Sequence, residues 1–244
     1  MPEYQELGPP LALAGAVECF WFMRPTEKFS VVHRVTPDGC ADIVFTRRGN
    51  DVTLQVVGPM TRFQDFTLAP GLMHVGVRFR PGMWPKPIGI NGDAITDTIL
   101  SLEDVWGAPA RALLDRMLEQ NSAGQCASLL SQSIHHPQPR TPVQRAIAWM
   151  EKHRGSVCLD WIARQAGLSP RQFRRVCIRQ TGLSPKFLAR VLRFRHAHSR
   201  LASESGQHAG LAADCGYTDQ SHFIAEFQYF TGQTPSSYLR SCAR

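Results

Sequence analysis

Arg171, Arg174, Arg175 and Arg179 stand within nine residues of one another in the stretch SPRQFRRVCIRQTG, Ser169 to Gly182. A guanidinium keeps its charge at any physiological pH and presents five N–H donors in a planar fork. It suits a phosphate, a carboxylate or a pair of acceptor atoms, so the chemistry on offer is recognition rather than proton transfer or nucleophilic attack. Phe173, Val176, Cys177 and Gln180 follow the 3,4 spacing of a helix face turned to a core, which leaves the arginines on the rest of the helix, largely in one stripe. An ordinary solvated basic face would have the same composition. The choice depends on what surrounds this helix.

Other chemistries find less support. Metal catalysis would need clustered His and carboxylate ligands, and the strand-like region supplies only His33 and His74, with no HxH pair. The seven cysteines, at 19, 40, 126, 158, 177, 215 and 242, are odd in number and form no CxxC pair. That speaks against a disulfide framework or a zinc finger and fits a reducing cytoplasm. Cys19 and Cys40 are candidates for a thiol that senses oxidation or alkylation, although inert packing is the plainer reading and nothing basic adjoins Cys40 closely. No cofactor and no metal is expected. The apolar stretch Leu11 to Phe22 carries Glu18 and is too short for a bilayer, and the start MPEYQEL is acidic, unlike a signal peptide. No membrane partner is expected.

The elements that must position these residues fall into two regimes. The 244 residues suffice for one large domain or two ordinary ones, and 43% hydrophobic content fits a folded chain. The net charge of +7 is uneven: from Arg140 onward 16 Lys and Arg face 6 Asp and Glu, a net of +10, while residues 1–139 carry 11 against 14, a net of −3. A basic half of this kind suggests a polyanion, and nucleic acid fits better than a lipid surface, because no helix joins a lysine-rich face to a bulky apolar one. The proline-rich stretch SIHHPQPRTP divides the regimes, with His135 and His136 read as exposed. The expected division is therefore 1–134, a linker at 135–140, and 141–244.

Ahead of the linker, FSVVHRV, ADIVFT, VTLQVVG and MHVGVRF read as antiparallel strands closing into a barrel or sandwich, with turn chemistry such as Pro37-Asp38-Gly39 between them. From Ala94 to about Ile134 the period becomes helical, through ITDTILSLEDVW and APARALLDRMLEQ. Leu100, Leu113, Leu114, Met117 and Leu118 are candidates for a surface that joins two copies, with core packing the plainer reading. Arg78 and Arg80 share one strand face at period 2. Turned inward, they would need an anionic ligand or buried acids such as Asp42. Turned outward, they are merely solvated.

Behind the linker nearly everything reads as helix, and the pattern recurs. Phe173, Cys177, Thr181, Gly182 and Pro185 have counterparts 50 residues on at Phe223, Phe227, Thr231, Gly232 and Pro235. Ala163 and Gly167 recur as Ala212 and Gly216, 49 residues on. Helix, glycine turn, second helix is the helix-turn-helix pattern, and two aligned copies in a strongly basic segment are far more telling than one. Residues 141–240 thus resemble the double helix-turn-helix domain of the AraC/XylS family of bacterial transcription regulators, on IARQAGLSPRQFRRVCIRQTGLSP and the more diagnostic LAADCGYTDQSHFIAEFQYFTGQTPSSYL.

The resemblance implies an α+β chain: a cupin-like β-barrel or sandwich with a helical segment, then an all-α domain with two helix-turn-helix motifs joined by a long helix. It implies a cytoplasmic one-component regulator whose recognition helices, 170–180 and 219–231, enter successive major grooves of double-stranded DNA. The matching groove-facing residues are Arg171, Gln172, Arg174 and Arg175, then Gln220, Ser221 and His222, with Ala225 where a basic residue is common. Its front domain would bind a small-molecule effector or a second subunit, with Arg78 and Arg80 the candidates for effector contact. The expected partners are DNA, a second copy of the chain and RNA polymerase, with no enzymatic activity. Arg190, Arg193, Arg195 and Arg200 on the long helix read either as phosphate contacts or as a solvated face. The rival reading is a cysteine-dependent sensor or repair enzyme that carries the same DNA module.

Overall fold

The apolar alternation of the first hundred residues builds a two-sheet unit, and the later 3,4 spacings build a helical one. The computed structural model describes residues 3–26, 29–134, 139–201 and 208–242. A six-stranded antiparallel sheet takes the order β1 (Glu3–Leu7), β2 (Val17–Arg24), β7 (Met73–Phe79), β4 (Ala41–Arg48), β5 (Asp51–Val57) and β8 (Ile99–Ser101). β3 (Val31–Val35) and β6 (Gln64–Leu68) pair as a separate ribbon. Phe20, Ile43, Phe45, Val75 and Val77 turn one face of the large sheet to a core shared with α2 (Leu102–Trp106), α3 (Ala108–Leu118) and α4 (Ala123–Ser133). Their neighbours Trp21, Met23 and Val44 point the other way and pack with Leu68 of the ribbon, as the two-residue side-chain period requires. The Trp21 ring lies flat across Gly76, where any Cβ would overlap it. Short α1 (Pro85–Ile88) and a 3-10 turn, Gly92–Ala94, lead into β8.

Two expectations shift here. ITDTILSLEDVW is not one helical stretch, because Ile99–Ser101 adds edge strand β8 beside β5 before the Ser101 cap starts α2. The proposed pairing surface on the helical segment is mostly spent inside: Leu113 and Met117 are buried, and Leu100 and Leu114 pack on the same core. The linker residues 135–138, with His135 and His136, lie outside the described residues.

The helical unit has its own core. α5 (Pro142–Lys152), α6 (Leu159–Gln165), α7 (Pro170–Thr181), α8 (Pro185–Leu201), α9 (His208–Asp214), α10 (Gln220–Thr231) and α11 (Pro235–Cys242) follow in order. Phe194 of α8 meets Phe227 and Phe230 of α10 at ring separations of 5.7 and 4.8 Å. Each fully buried Phe contributes about 1.5–3 kcal/mol through area alone, so α8 is the axis on which α7 and α10 are mounted. Its 17 residues span about 25 Å. No helix of the described residues is long and apolar enough to cross a membrane.

Candidate nucleic-acid interface

The repeated residues build the same local structure twice. Gly167 (φ 70°) follows the end of α6 and Gly216 (φ 75°) that of α9, each in the left-handed conformation that glycine adopts without a Cβ clash. Ser169 caps α7 and Asp219 caps α10, each side-chain oxygen accepting from a backbone N–H three residues on. At the far ends, the Thr181 hydroxyl lies 2.9 Å from the Cys177 carbonyl and accepts from the Leu183 N–H at 3.1 Å. Thr231 repeats this against Phe227 at 2.8 Å and Gln233 at 3.1 Å. Gly182 (φ 68°) and Gly232 (φ 73°) then close the two helices.

On α7, Phe173 and Cys177 are buried while Val176 and Gln180 are half-buried, which sets the inward face. Arg171, Arg174 and Arg175 are exposed, and no ion pair or side-chain hydrogen bond among the described residues engages them. Gln172 is exposed but partly committed: its Oε1 accepts from the Ser169 N–H at 3.0 Å and hydroxyl at 2.9 Å, completing a capping box. Its amide N–H groups alone face outward contacts. Arg179 is turned aside, its Nε donating to Asn91 Oδ1 at 3.4 Å. On α10, Gln220, Ser221 and Ala225 are exposed. His222 is half-buried; its Nδ1 accepts from the Thr218 N–H at 3.4 Å and its ring stands edge-on to Tyr217 at 5.4 Å.

The arginines of α8 are half-buried, and each is held by a tertiary partner. Arg190 forks onto Glu226 of α10, with contacts from 2.7 to 3.2 Å. Arg193 donates to the Gly216 carbonyl at 3.2 Å and lies over the Tyr217 ring. Arg200 pairs with Asp214 at 3.0 Å. Arg195 reaches out of the helical unit to Glu18 on β2. Burial pushes the Glu18 carboxyl upward, but Arg195 and then Arg78 outweigh it and hold the group below the ordinary carboxylate value. Local sequence could not show this, since each partner lies between 14 and 177 residues away.

Arg78 and Arg80 prove to have different fates. Arg78 points between the sheets and is met by the chain's own acids, Asp38 at 3.3 Å, Asp42 at 3.4 Å and Glu6 at 3.6 Å. Asp42 also accepts from the Trp21 indole at 3.2 Å. Burial pushes its carboxyl up to about 6 against the pull of Arg78. Arg80 lies just beyond β7 and pairs with Glu151 of α5 at 2.7 Å. Both cations are therefore compensated within the protein. Cys19 and Cys40 are buried; burial lifts the Cys19 thiol to about 12 and Cys40 well above its ordinary value. Arg195 does approach Cys40 Sγ, at 3.9 Å, a tertiary neighbour that the sequence around Cys40 does not reveal.

The sheet unit also grips both outward-facing helices by their C-terminal ends. Thr96 Oγ1 donates toward the Gly182 carbonyl at 3.1 Å, behind α7. Arg34 of β3 donates to the Thr231 carbonyl at 3.0 Å, at the end of α10. Cations and donors suit a helix C-terminus, where the last carbonyls lack partners. Neither Thr96 nor Arg34 stands out in the sequence, and only the tertiary arrangement shows them.

Two outward helices of one build, each preceded by a short helix and a left-handed glycine, form a repeated unit whose first copy carries an exposed arginine stripe. Residues 162–241 match the family described as a helix-turn-helix domain, and residues 5–101 match one described as a domain of unknown function (DUF6597). The HTH-type transcriptional activator RhaS of Escherichia coli (strain SE11) is 34% identical over 83 residues, 34% of this chain and 30% of the relative. RhaS of Klebsiella pneumoniae (strain 342) is 30% identical over 87 residues, 35% of this chain and 31% of the relative. The matched region thus spans under a third of these curated relatives. ToxT from Vibrio cholerae O395 is similar in structure, with 13% identity and a TM-score of 0.43 over 86% of this chain and 96% of that one. The DNA-binding domain of AdpA, solved with a target DNA, shows 22% identity and a TM-score of 0.39 over 42% of this chain and 93% of that one. The likeness lies in the helical domain, which is similar to the helix-turn-helix domain of AraC/XylS-type transcription regulators.

Proposed function

We propose that this chain is a sequence-specific regulator of transcription that reads double-stranded DNA through two helix-turn-helix motifs, α6–α7 and α9–α10. The observation that carries the reading is the stripe of Arg171, Arg174 and Arg175, exposed and unengaged among the described residues. Every arginine of neighbouring α8 is, by contrast, held by a partner. On the outer helix of such a motif, arginine can pair bidentately with guanine while its neighbours neutralise phosphates. Gln220, Ser221 and His222 contribute short polar contacts from the second motif. The roughly 25 Å of α8 suits two helices set in successive major grooves of one duplex face, which repeat at about 34 Å.

The front domain, read as a cupin-like sandwich, is the regulatory module, accepting a small effector or a second subunit, with RNA polymerase as the downstream partner. Support comes from its own core and from its grip on both motifs. Its candidate thiols are buried and hard to ionise, which weighs against the thiol-enzyme alternative. Selection of the full chain on randomised duplexes tests the function. A preferred site is expected, with an affinity that falls steeply with salt, the slope steepening by about 0.9 for each phosphate contacted. Equal binding to all duplexes with a flat salt response would refute it.

A further inference from the structure

The second outward helix, α10, carries no cation of its own: QSHFIAEFQYFT contains no Lys or Arg. Phe223, Phe227, Phe230 and Thr231 mark its buried side. At 100° per residue the opposite side is centred on Ala225, flanked by Ser221 and His222 one turn before and by Gln228 and Tyr229 one turn after. One guanidinium stands beside this side without belonging to the helical unit. Arg62, from the loop between β5 and β6, lies over the Tyr229 ring at 5.0 Å from its centroid. It is exposed, and no ion pair or hydrogen bond among the described residues engages it.

The loop that presents Arg62 is pinned on both sides. Before it, the backbone N–H and hydroxyl of Thr61 donate to the Asp97 carboxylate at 2.7 and 2.6 Å. After it, Phe63 packs so closely on Gly232 that a Cβ there would stand 2.7 Å from the ring. Arg34 stacks over Phe63 at 4.2 Å. The other cations nearby are neutralised, Arg34 by Asp65 and Arg190 by Glu226. Among the described residues, Arg62 is left as the uncompensated cation at this end of α10.

We infer that Arg62 is a DNA contact supplied by the front domain: it takes a backbone phosphate at the edge of the groove that α10 enters. Tyr229 lies about 6 Å along the axis from Ala225. In a major groove about 12 Å wide, that displacement leads from the groove centre toward its phosphate wall. A guanidinium resting over a ring and otherwise exposed keeps N–H groups free for a phosphate and loses little freedom on binding. The front domain thereby supplies the positive charge that the second motif lacks. The inference rests on the proposed role of α10.

The test uses the full chain on its selected duplex, with Arg62→Met, Arg62→Lys and, as a reference, Arg174→Ala. The readouts are affinity across a salt series and ethylation interference, which maps contacted phosphates. Arg62→Met keeps an apolar cover on Tyr229 but loses the charge. It is expected to flatten the salt slope by about 0.9, to weaken binding by about eightfold at 0.1 M salt, and to erase interference at one phosphate flanking the α10 half of the site. Arg62→Lys is expected to retain the slope. If Arg62→Met leaves slope and interference unchanged while Arg174→Ala weakens binding, the Arg62 contact is overturned and the function stands. If Arg62→Lys loses as much as Arg62→Met, the residue acts by docking alone, which also overturns the contact. Silence of Arg174→Ala as well would overturn the reading of both helices.

Discussion

Gly167→Ala and Gly182→Ala are chemically the same change at two left-handed glycines of one motif, φ 70° and 68°, and their costs are expected to differ. Each forces an alanine into the left-handed region, at roughly 1–2 kcal/mol. At Gly167 nothing lies within 4 Å of the added Cβ, so the cost ends there. At Gly182 the Cβ overlaps Thr96 Oγ1 and stands 2.8 Å from the Gly92 carbonyl and 3.0 Å from Pro59, all in the front domain. Relief requires Thr96 to leave, which gives up the one hydroxyl hydrogen bond it shares between the Gly92 and Gly182 carbonyls, worth about 1 kcal/mol. The backbone of Gly92 must then retreat as well. The expected total is about 2–4 kcal/mol for Gly182→Ala against about 1–2 for Gly167→Ala. Urea unfolding of both variants of the full chain, followed by circular dichroism, measures the difference. In a chain of residues 139–244 the two costs should converge, since the pressing atoms are gone. Equal costs in the full chain would refute the docking of the front domain on the end of α7.

Arg174→Ala should cost about 1–3 kcal/mol on the preferred duplex and relax choice at one base pair, and Ser221→Ala or His222→Ala should cost less, as read by binding selections. A larger loss of preference at Ser221 or His222 would reverse the ranking of the motifs. Burial raises the Asp42 carboxyl from the ordinary 3.8 to about 6, so the folded state holds its proton more tightly and stability falls as pH rises through that interval. Asp42→Asn should remove this decline from urea midpoints measured between pH 4 and 6.5. Under brief alkylation of the native chain, mass mapping should find Cys158 modified, while buried Cys19, Cys40, Cys126, Cys177 and Cys215 react only on unfolding.

The helical half was legible because its signals are local and doubled. Cap, glycine and threonine recur at fixed spacing, and the structure turns each pair into the same hydrogen bonds. The sheet half was legible only in texture. VECFWFMR, which forms β2, passed as part of an apolar stretch because both faces of this central strand are buried, so no polar alternation marks it. Edge strand β1, with all five residues exposed, offers no apolar pattern at all. The α8 arginines show the remaining limit. Their spacing matches a solvated or phosphate-binding face, and only the fold brings Glu18, Asp214 and Glu226 to them.

On the proposed reading, the grip on the two motifs also says what a regulatory signal would have to move. Thr96, behind α7, belongs to the segment that enters β8, the edge of the large sheet. Arg34, behind α10, belongs to β3 in the separate ribbon. The two outward helices are thus tied to different sheets, and Trp21, Met23, Val44 and Leu68 pack between those sheets. A shift of the ribbon against the large sheet pulls on the end of α10 while leaving the end of α7 in place, which changes the setting of one motif against the other. Each tie consists of a hydrogen bond worth about 1 kcal/mol plus local packing. A coupling of a few kcal/mol is the size by which one site biases another. A ligand or partner acts through this route only by binding the two sheet arrangements with different affinity. The layer around Trp21 and Asp42, not the surface of α3 and α4, is where that difference must arise.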